Sequence, residues 1–384
     1  MNSKLTDDST VSHELTVSDE STEAARLSTT AVGTVAAAGI TADVSTGRTL
    51  LLVVGSGRSG TSVFASLLSR LRFSVPQPEV AADQSNPRGF GETQWIVDFH
   101  TELLREARVQ TTDARPGAWA MAGQRCYDQP SRDVLRRWLA REFTMSDNVL
   151  IKDPRLLWFV PLWRHVGQDV GAQVRFVTML RHPAEVVRSK ETWYEGTSNP
   201  ANRLAGWVNS MLYTERATRH DRRAFVGLND LLADWTLSVA RAGDALGLHV
   251  LHQCSTQEMR EASAVIEPTL HRSKATLEGF AVPEDLRGLA RRVWDELLVL
   301  AAADTTDPAA AYRRLDQIRG EYIVWYEQIE AVAYSSILAA HRYGMRRARQ
   351  EPATGLSRVI QLVPPSWRDA VPIEWRRKVL QVIR

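Results

Sequence analysis

A glycine-rich turn follows a short apolar run near residue 50 of the chain. The run is Leu50–Val54, and the turn Gly55–Gly60 contains three glycines, two serines and Arg58. From Thr61 onward, apolar residues recur at helical spacing. Glycines allow backbone amides to converge on an oxyanion, and a helix N-terminus adds partial positive charge. The stretch therefore predicts a strand, a turn and a helix that together bind a phosphate or a related oxyanion.

Two well-known phosphate-binding motifs share part of this spacing. Gly55, Gly57 and Gly60 match a dinucleotide fingerprint, with Glu79 near the position of a ribose-binding acid. Gly55 and Gly60 also have Walker A spacing, but Thr61 stands where that motif has its lysine. Without this lysine nothing reaches the outer phosphates of a triphosphate, so the sequence argues against ATP or GTP hydrolysis.

A third motif accounts for more of the residues. Arg58–Ser62 reads Arg-Ser-Gly-Thr-Ser and resembles the 5′-phosphosulfate loop of sulfotransferases that use 3′-phosphoadenosine-5′-phosphosulfate (PAPS). In that family, an arginine at a strand end and a serine eight residues later hold the 3′-phosphate. Arg181 follows a predicted strand, and Ser189 lies on the helix after it, eight positions on (189 − 181 = 8). A guanidinium and a hydroxyl at this spacing can flank one phosphate group.

The resemblance covers about residues 48–300 and implies a fold, a co-substrate and a set of binding residues. The implied fold is a three-layer α/β/α arrangement around a central parallel sheet, similar to P-loop NTPases, with a C-terminal helical extension. The 3′-phosphate would be held by Arg181 and Ser189, and by Arg272 from a basic loop that closes over it. The residues implied for the 5′-phosphosulfate are Gly57, Arg58, Ser59, Gly60, Thr61 and Ser62.

The same resemblance implies catalytic roles for Arg58, Lys152 and Glu92. Lys152 matches the family's lysine, which stabilises negative charge as the sulfuryl group leaves. Animal cytosolic sulfotransferases have a histidine base two residues later, but Pro154 stands there in this chain. Glu92 ends a loop that looks like one in bacterial sulfotransferases, and we expect it to be the base. Asp153 is an alternative base, or a residue that orients its neighbours.

Composition predicts three parts of the chain. Residues 1–47 are rich in Ser, Thr, Ala and acids and are predicted to be disordered. Residues 48–303 should form the sulfotransferase domain, and 304–384 a helical extension with a basic amphipathic tail. The extension would pack on its own domain or on a second subunit. The tail would either dock on an anionic membrane or pack on its own domain.

Charge and residue counts exclude several classes of function. A net charge of +2 gives no global reason to expect nucleic-acid binding. Two cysteines form neither a disulfide framework nor a CxxC metal pair, and the nine histidines show no ligand-like cluster. No segment has the length needed to cross a bilayer. We therefore expect a cytoplasmic protein, in contact with a membrane only if the tail docks there, and without a metal ion.

The function predicted on this basis is transfer of a sulfuryl group from PAPS to an acceptor hydroxyl. A carbohydrate or glycolipid is the first expectation for the acceptor, and a natural product is the second. A P-loop nucleotide-dependent phosphotransferase, similar to a kinase, is the alternative within the same fold class. A non-catalytic scaffold that binds anions or membranes is the alternative from another class. The presence of Arg58, Lys152 and Arg181 together argues against a decayed site.

Overall fold

The computed structural model describes residues 47–84, 86, 89–193, 199–266, 275–302 and 307–350, with side chains up to residue 343. Four parallel strands form a sheet in the order β2-β1-β3-β4 within these residues. The strands are β1 (Thr49–Val54), β2 (Asn148–Lys152), β3 (Gln173–Leu180) and β4 (Arg223–Gly227). The α/β class and the central parallel sheet predicted from the sequence are confirmed.

The helices of the described residues flank and follow this sheet. In chain order they are α1 (Thr61–Leu68), α2 (Gln94–Ala107), α3 (Ala118–Arg125), α4 (Gln129–Glu142), α5 (Val160–Asp169), α6 (Pro183–Trp193), α7 (Pro200–Thr218), α8 (Leu228–Ala233), α9 (Trp235–Leu246), α10 (Thr256–Ser263), α11 (Glu284–Ala301) and α12 (Pro308–Gln350). Most connections are short, so the residues at strand ends are held close to the sheet.

The strand β1 is apolar from Leu50 to Val54 because both of its faces are covered there. Leu50, Leu52 and Val54 join the core beneath α2 to α5, while Leu51 and Val53 join the core beneath α1 and α9. All five side chains are at most 1% exposed. Successive side chains of a strand point to opposite faces of its sheet. The sheet that contains β1 is therefore the middle one of three layers.

Strand register brings the future site residues to one edge of the sheet. Val53 pairs with Lys152 on β2, and Val54 pairs with Thr178 on β3. Since all four strands are parallel, the loops that follow β1, β2 and β3 leave the sheet on the same side. That edge is where ligands bind in open α/β sheets.

Two local predictions differ from the structure. The apolar spacing over 229–246 predicts one helix, but the structure divides this stretch between α8 and α9. Asp234 has extended backbone angles and its side chain accepts a hydrogen bond from Leu237 N, so it caps a new helix. The residue types at 72–75 predict a short strand, but only Ser74 pairs there, in an isolated bridge with Val149. Arg72 has a φ of 71°, which interrupts an extended strand.

The C-terminal helices form a third core with α7. Leu315, Ile318 and Tyr322 of α12 are buried, and the Tyr322 hydroxyl donates to the carbonyl oxygens of Ala114 and Ala205. Farther along α12 the apolar side chains become exposed, and Val332 is 85% exposed. No helix among the described residues is long and apolar enough to span a membrane. The predicted disordered tail, apart from residue 47, and the basic tail from 351 onward lie outside the described residues.

Candidate anion-binding and catalytic site

The loop between β1 and α1 has the backbone shape of an anion-binding turn. Arg58 and Gly60 have φ angles of 72° and 89°, in the left-handed region. A Cβ atom on Gly60 would lie 2.5 Å from Leu228 Cδ1, so a larger residue would have to displace that leucine side chain as well as adopt a positive φ. No side chain caps the N-terminus of α1. The first amides of a helix lack intrahelical partners, so those of α1 can donate to a ligand.

One hydroxyl of this loop is buried without a partner. Ser59 is 0% exposed, and among the described residues its Oγ atom has no hydrogen-bond partner. Leaving a buried hydroxyl unpaired costs free energy. A ligand oxygen in the loop would satisfy it, which is the behaviour expected of a binding residue rather than of a packing residue.

The two predicted anion motifs meet in space. Arg58 Nε donates a 3.0 Å hydrogen bond to Ser189 Oγ on α6. Arg181 Nη1 donates a 3.0 Å bond to the carbonyl oxygen of Arg58, and its Nε donates to Glu185 at 3.0 Å. The Arg181 guanidinium therefore lies beside the loop after β1, facing residue 58. Arg58 also lies over the ring of Trp193, 5.9 Å from its centroid.

A buried lysine stands on the other side of the loop. Lys152, the last residue of β2, is 4% exposed. Its ammonium donates to Glu92 Oε1 at 2.5 Å, to Ser62 Oγ at 3.0 Å and to the carbonyl oxygen of Phe90 at 3.0 Å. An ammonium group has three N–H donors, so all of them are used. Lys152 must release one acceptor before it can contact a ligand.

The ion pair with Lys152 holds the Glu92 carboxylate in position. Glu92 precedes α2, whose N-cap is Thr93, so it lies outside the first helical turn. Its carboxylate is buried and its Oε2 lies 3.9 Å from Arg155 Nη1. An acid at a helix start can also be explained by interaction with the helix dipole. That interaction acts within the first turn. The ion pair with Lys152 explains the position of this carboxylate better.

Asp153 is fully hydrogen-bonded, which argues against a role as the base. It is 1% exposed and bonded to His100 Nδ1 at 2.8 Å and to Arg155 Nη1 at 2.8 Å. Although burial favours its neutral form, hydrogen bonds from His100 and Arg155 keep the pKa of Asp153 below its usual range. The indole of Trp163 can only donate, and it donates to His100 Nε2 at 2.9 Å. The His100 proton is therefore on Nδ1, and Asp153 orients Arg155.

Lys190, the neighbour of Ser189, belongs to neither of the two sequence motifs. Lys190 is 6% exposed and donates to Thr112 Oγ1 at 3.2 Å and to Ser56 Oγ at 3.4 Å. Burial, together with the positive charges of Arg203 and Arg58, lowers the pKa of this lysine to about 8. Its spacing after Val186 and Val187 could have indicated that it faces inward.

Two further predictions concern Arg272 and metal binding. Arg272 lies outside the described residues, so its role stays a prediction. In the described part of the chain, no group of three His, Cys, Asp or Glu side chains is arranged to hold a metal ion. The arginines, lysines, hydroxyls and backbone amides of the site are groups that can bind an anion.

Comparison with known proteins gives weak structural similarities. No protein-family model and no curated protein matches the chain. A sulfotransferase domain from the curacin biosynthetic pathway is 14% identical with a TM-score of 0.38, covering 65% of this chain and 98% of its own. The sulfotransferase domain of the Synechococcus PCC 7002 olefin synthase is 17% identical with a TM-score of 0.35, covering 72% and 94%. Sulfotransferase STF1 from Mycobacterium tuberculosis H37Rv is 14% identical with a TM-score of 0.35, covering 64% and 76%. Similarity at this level establishes neither a family nor a function for this chain.

Proposed function

We propose that the protein is a sulfotransferase that transfers a sulfuryl group from PAPS to a hydroxyl of an acceptor. The observation that carries the proposal is the meeting of two separate motifs. Arg58 of the first motif bonds to Ser189 of the second, and Arg181 bonds to the backbone of Arg58. A nucleotide with anionic groups at both its 3′ and 5′ positions needs two such groups of ligands within one site. Neither a dinucleotide fingerprint nor a Walker A loop accounts for Arg181 and Ser189.

The residues of the loop fit the phosphosulfate end of this co-substrate. The unpaired Ser59 hydroxyl, the open N-terminus of α1 and the left-handed backbone at Gly60 all suit an oxyanion. Bound there, PAPS would supply the activated sulfuryl group. The residues proposed to hold this end are Gly57, Arg58, Ser59, Gly60, Thr61 and Ser62. Arg181 and Ser189 would hold the 3′-phosphate, with Arg272 as a further proposed ligand.

Lys152 and Glu92 are proposed to work as a pair. The ammonium of Lys152 would exchange the Ser62 hydroxyl for an oxygen that gains negative charge, because Ser62 can donate its own proton elsewhere. Glu92 would accept the proton of the acceptor hydroxyl, which converts its ion pair with Lys152 into a weaker neutral contact. The same proton transfer makes Lys152 more available to the developing charge.

Calorimetry with four nucleotides tests the proposal. We expect adenosine 3′,5′-bisphosphate to bind more tightly than AMP, ATP with Mg²⁺, or NAD. Arg181→Met should lower the preference for the bisphosphate over AMP by about tenfold or more, the value of one or two charged hydrogen bonds. Arg188→Met is the matched control, because Arg188 lies on the same helix with half of its side chain exposed. Preference for ATP with Mg²⁺ would favour a phosphotransferase, and binding of none of the four would favour a scaffold.

A further inference from the structure

Lys190 is a buried cation whose partners are both neutral. Its ammonium bonds to the hydroxyls of Ser56 and Thr112, and both bonds are longer than 3.1 Å. Among the described residues, no carboxylate lies within ion-pair distance of it. Buried charges are ordinarily paired, because removal from water is costly. An ammonium has three N–H groups, so one remains for a ligand.

The surroundings of Lys190 add positive charge. The positive charges of Arg203 and Arg58 both disfavour the protonated form of Lys190. Arg203 is itself 6% exposed, and its carboxylate neighbour Glu191 lies 4.0 Å away and also contacts Arg188. Lys190 itself has only the two hydroxyls as hydrogen-bond partners among the described residues. A bound anion would compensate its charge.

The direction of Lys190 separates it from the proposed co-substrate residues. Successive helical residues are rotated by about 100°. Ser189 faces Arg58, so Lys190 faces the connection between α2 and α3, which contains Thr112. Thr112 is held there by tight packing, since a Cβ atom on Gly206 of α7 would lie 2.5 Å from its methyl group. The Lys190 ammonium thus lies between Ser56, at the start of the loop after β1, and Thr112. The connection that contains Thr112 contributes none of the proposed co-substrate ligands.

We propose that Lys190 binds an anionic group of the acceptor, a carboxylate, sulfate or phosphate, between Ser56 and Thr112. This inference rests on the proposed function and narrows it, because it identifies the acceptor as a molecule that carries a negative charge besides its hydroxyl. Such a charge would anchor the acceptor beside the loop, while its hydroxyl approaches Glu92 and Lys152. A neutral acceptor would leave the ammonium uncompensated.

Acetate and acetamide provide matched probes, since they share a shape and differ in charge. Each is titrated into protein saturated with adenosine 3′,5′-bisphosphate, at constant ionic strength set with chloride, and the unfolding midpoint gives an apparent Kd. We expect acetate, but not acetamide, to stabilise the wild type and the Arg188→Met control. In Lys190→Met, acetate binding should weaken by about tenfold or more, the value of one charged hydrogen bond. Lys190→Gln should behave like Lys190→Met, because it keeps a donor without the charge.

Nucleotide binding distinguishes the alternatives. We expect Lys190→Met to bind PAPS and adenosine 3′,5′-bisphosphate as the wild type does. Acetate binding that is equal in the wild type and Lys190→Met would overturn the inference. A selective loss of PAPS affinity in Lys190→Met would also overturn it, since the lysine would then contact the sulfuryl group. Failure of the wild type to bind the bisphosphate, with acetate binding still dependent on Lys190, would overturn the proposed function and keep the anion site.

Discussion

Glu92→Gln removes one negative charge from a buried pair and keeps the shape of the side chain. Lys152 donates three hydrogen bonds, and two of its acceptors, Ser62 and Phe90, are unaffected. The amide oxygen of glutamine can still accept the third. The stability cost is therefore the difference between a charged and a neutral hydrogen bond, about 1–2 kcal/mol. Urea unfolding with an unchanged slope measures it.

Lys152→Met is the contrasting variant. It leaves the Glu92 carboxylate buried, with Arg155 3.9 Å away as the remaining cation. Breaking a buried pair from one side typically costs about 3–5 kcal/mol. We expect Lys152→Met to be the more destabilised of the two variants, by about 2 kcal/mol or more. Equal destabilisation would mean that the pair is more hydrated than its burial indicates.

Turnover separates the chemical role of Glu92 from its structural role. Glutamine cannot accept a proton, and a general base typically contributes about 10²–10⁴ to the rate. We expect Glu92→Gln to lose turnover by such a factor, with the Kd for adenosine 3′,5′-bisphosphate unchanged within about threefold. The assay measures release of that nucleotide from PAPS in the presence of acceptor hydroxyls. Full turnover in a Glu92→Gln protein that binds nucleotide normally would refute the assignment.

Three further predictions concern the loop and Lys190. Gly60→Ala should weaken binding of adenosine 3′,5′-bisphosphate and lower the unfolding midpoint, because the new methyl group would meet Leu228 and the φ of Gly60 is 89°. A calorimetric Kd for the nucleotide that equals the wild-type value would contradict this. Ser59→Ala should raise the free energy of unfolding by about 1 kcal/mol and weaken nucleotide binding, since it removes an unpaired buried hydroxyl. Stability and nucleotide affinity that rise together or fall together would contradict a binding role. Lys190 has a pKa of about 8 in the folded protein and 10.5 when unperturbed, so the unfolded chain binds more protons between these values. The destabilisation caused by burying the charged Lys190 is therefore full below pH 8 and is relieved as pH rises to 10.5. We expect Lys190→Met to be more stable than the wild type at pH 7. Thermal unfolding should show this difference shrinking as pH rises from 8 to 10.5. A difference independent of pH would show that the penalty is not electrostatic.

The central strand β1 could be predicted because it is buried on both faces. Leu50–Val54 is a continuous apolar run, and such a run has few alternatives beside a glycine turn. The break at Asp234 was missed because the apolar spacing continues through it, and only the capping ability of Asp indicated a new helix start. The paired strand predicted at residues 72–75 depended on local propensity, whereas the chain makes only one bridge there.

The candidate site divides in the same way. Arg58, Arg181 and Ser189 were predicted from their resemblance to two family motifs, whose spacing at strand ends depends on local chain geometry. Lys190 was missed, since its significance depends on Thr112 and Ser56, which are far from it in sequence. The orientation of Asp153 also needed the tertiary structure, because the aspartate is held by His100 on α2. Roles that arise from contacts between distant segments leave little trace in a single sequence.

The last buried anchor of α12 is near Tyr322, yet the helix continues to Gln350. At 1.5 Å per residue, the segment beyond residue 326 extends by roughly 35 Å. Val332, Tyr334 and Ile337 of this segment are exposed. These apolar side chains offer a contact surface to a second copy of the chain or to a lipid layer. Shortening the helix after residue 326 should consequently change location or assembly while leaving nucleotide affinity intact.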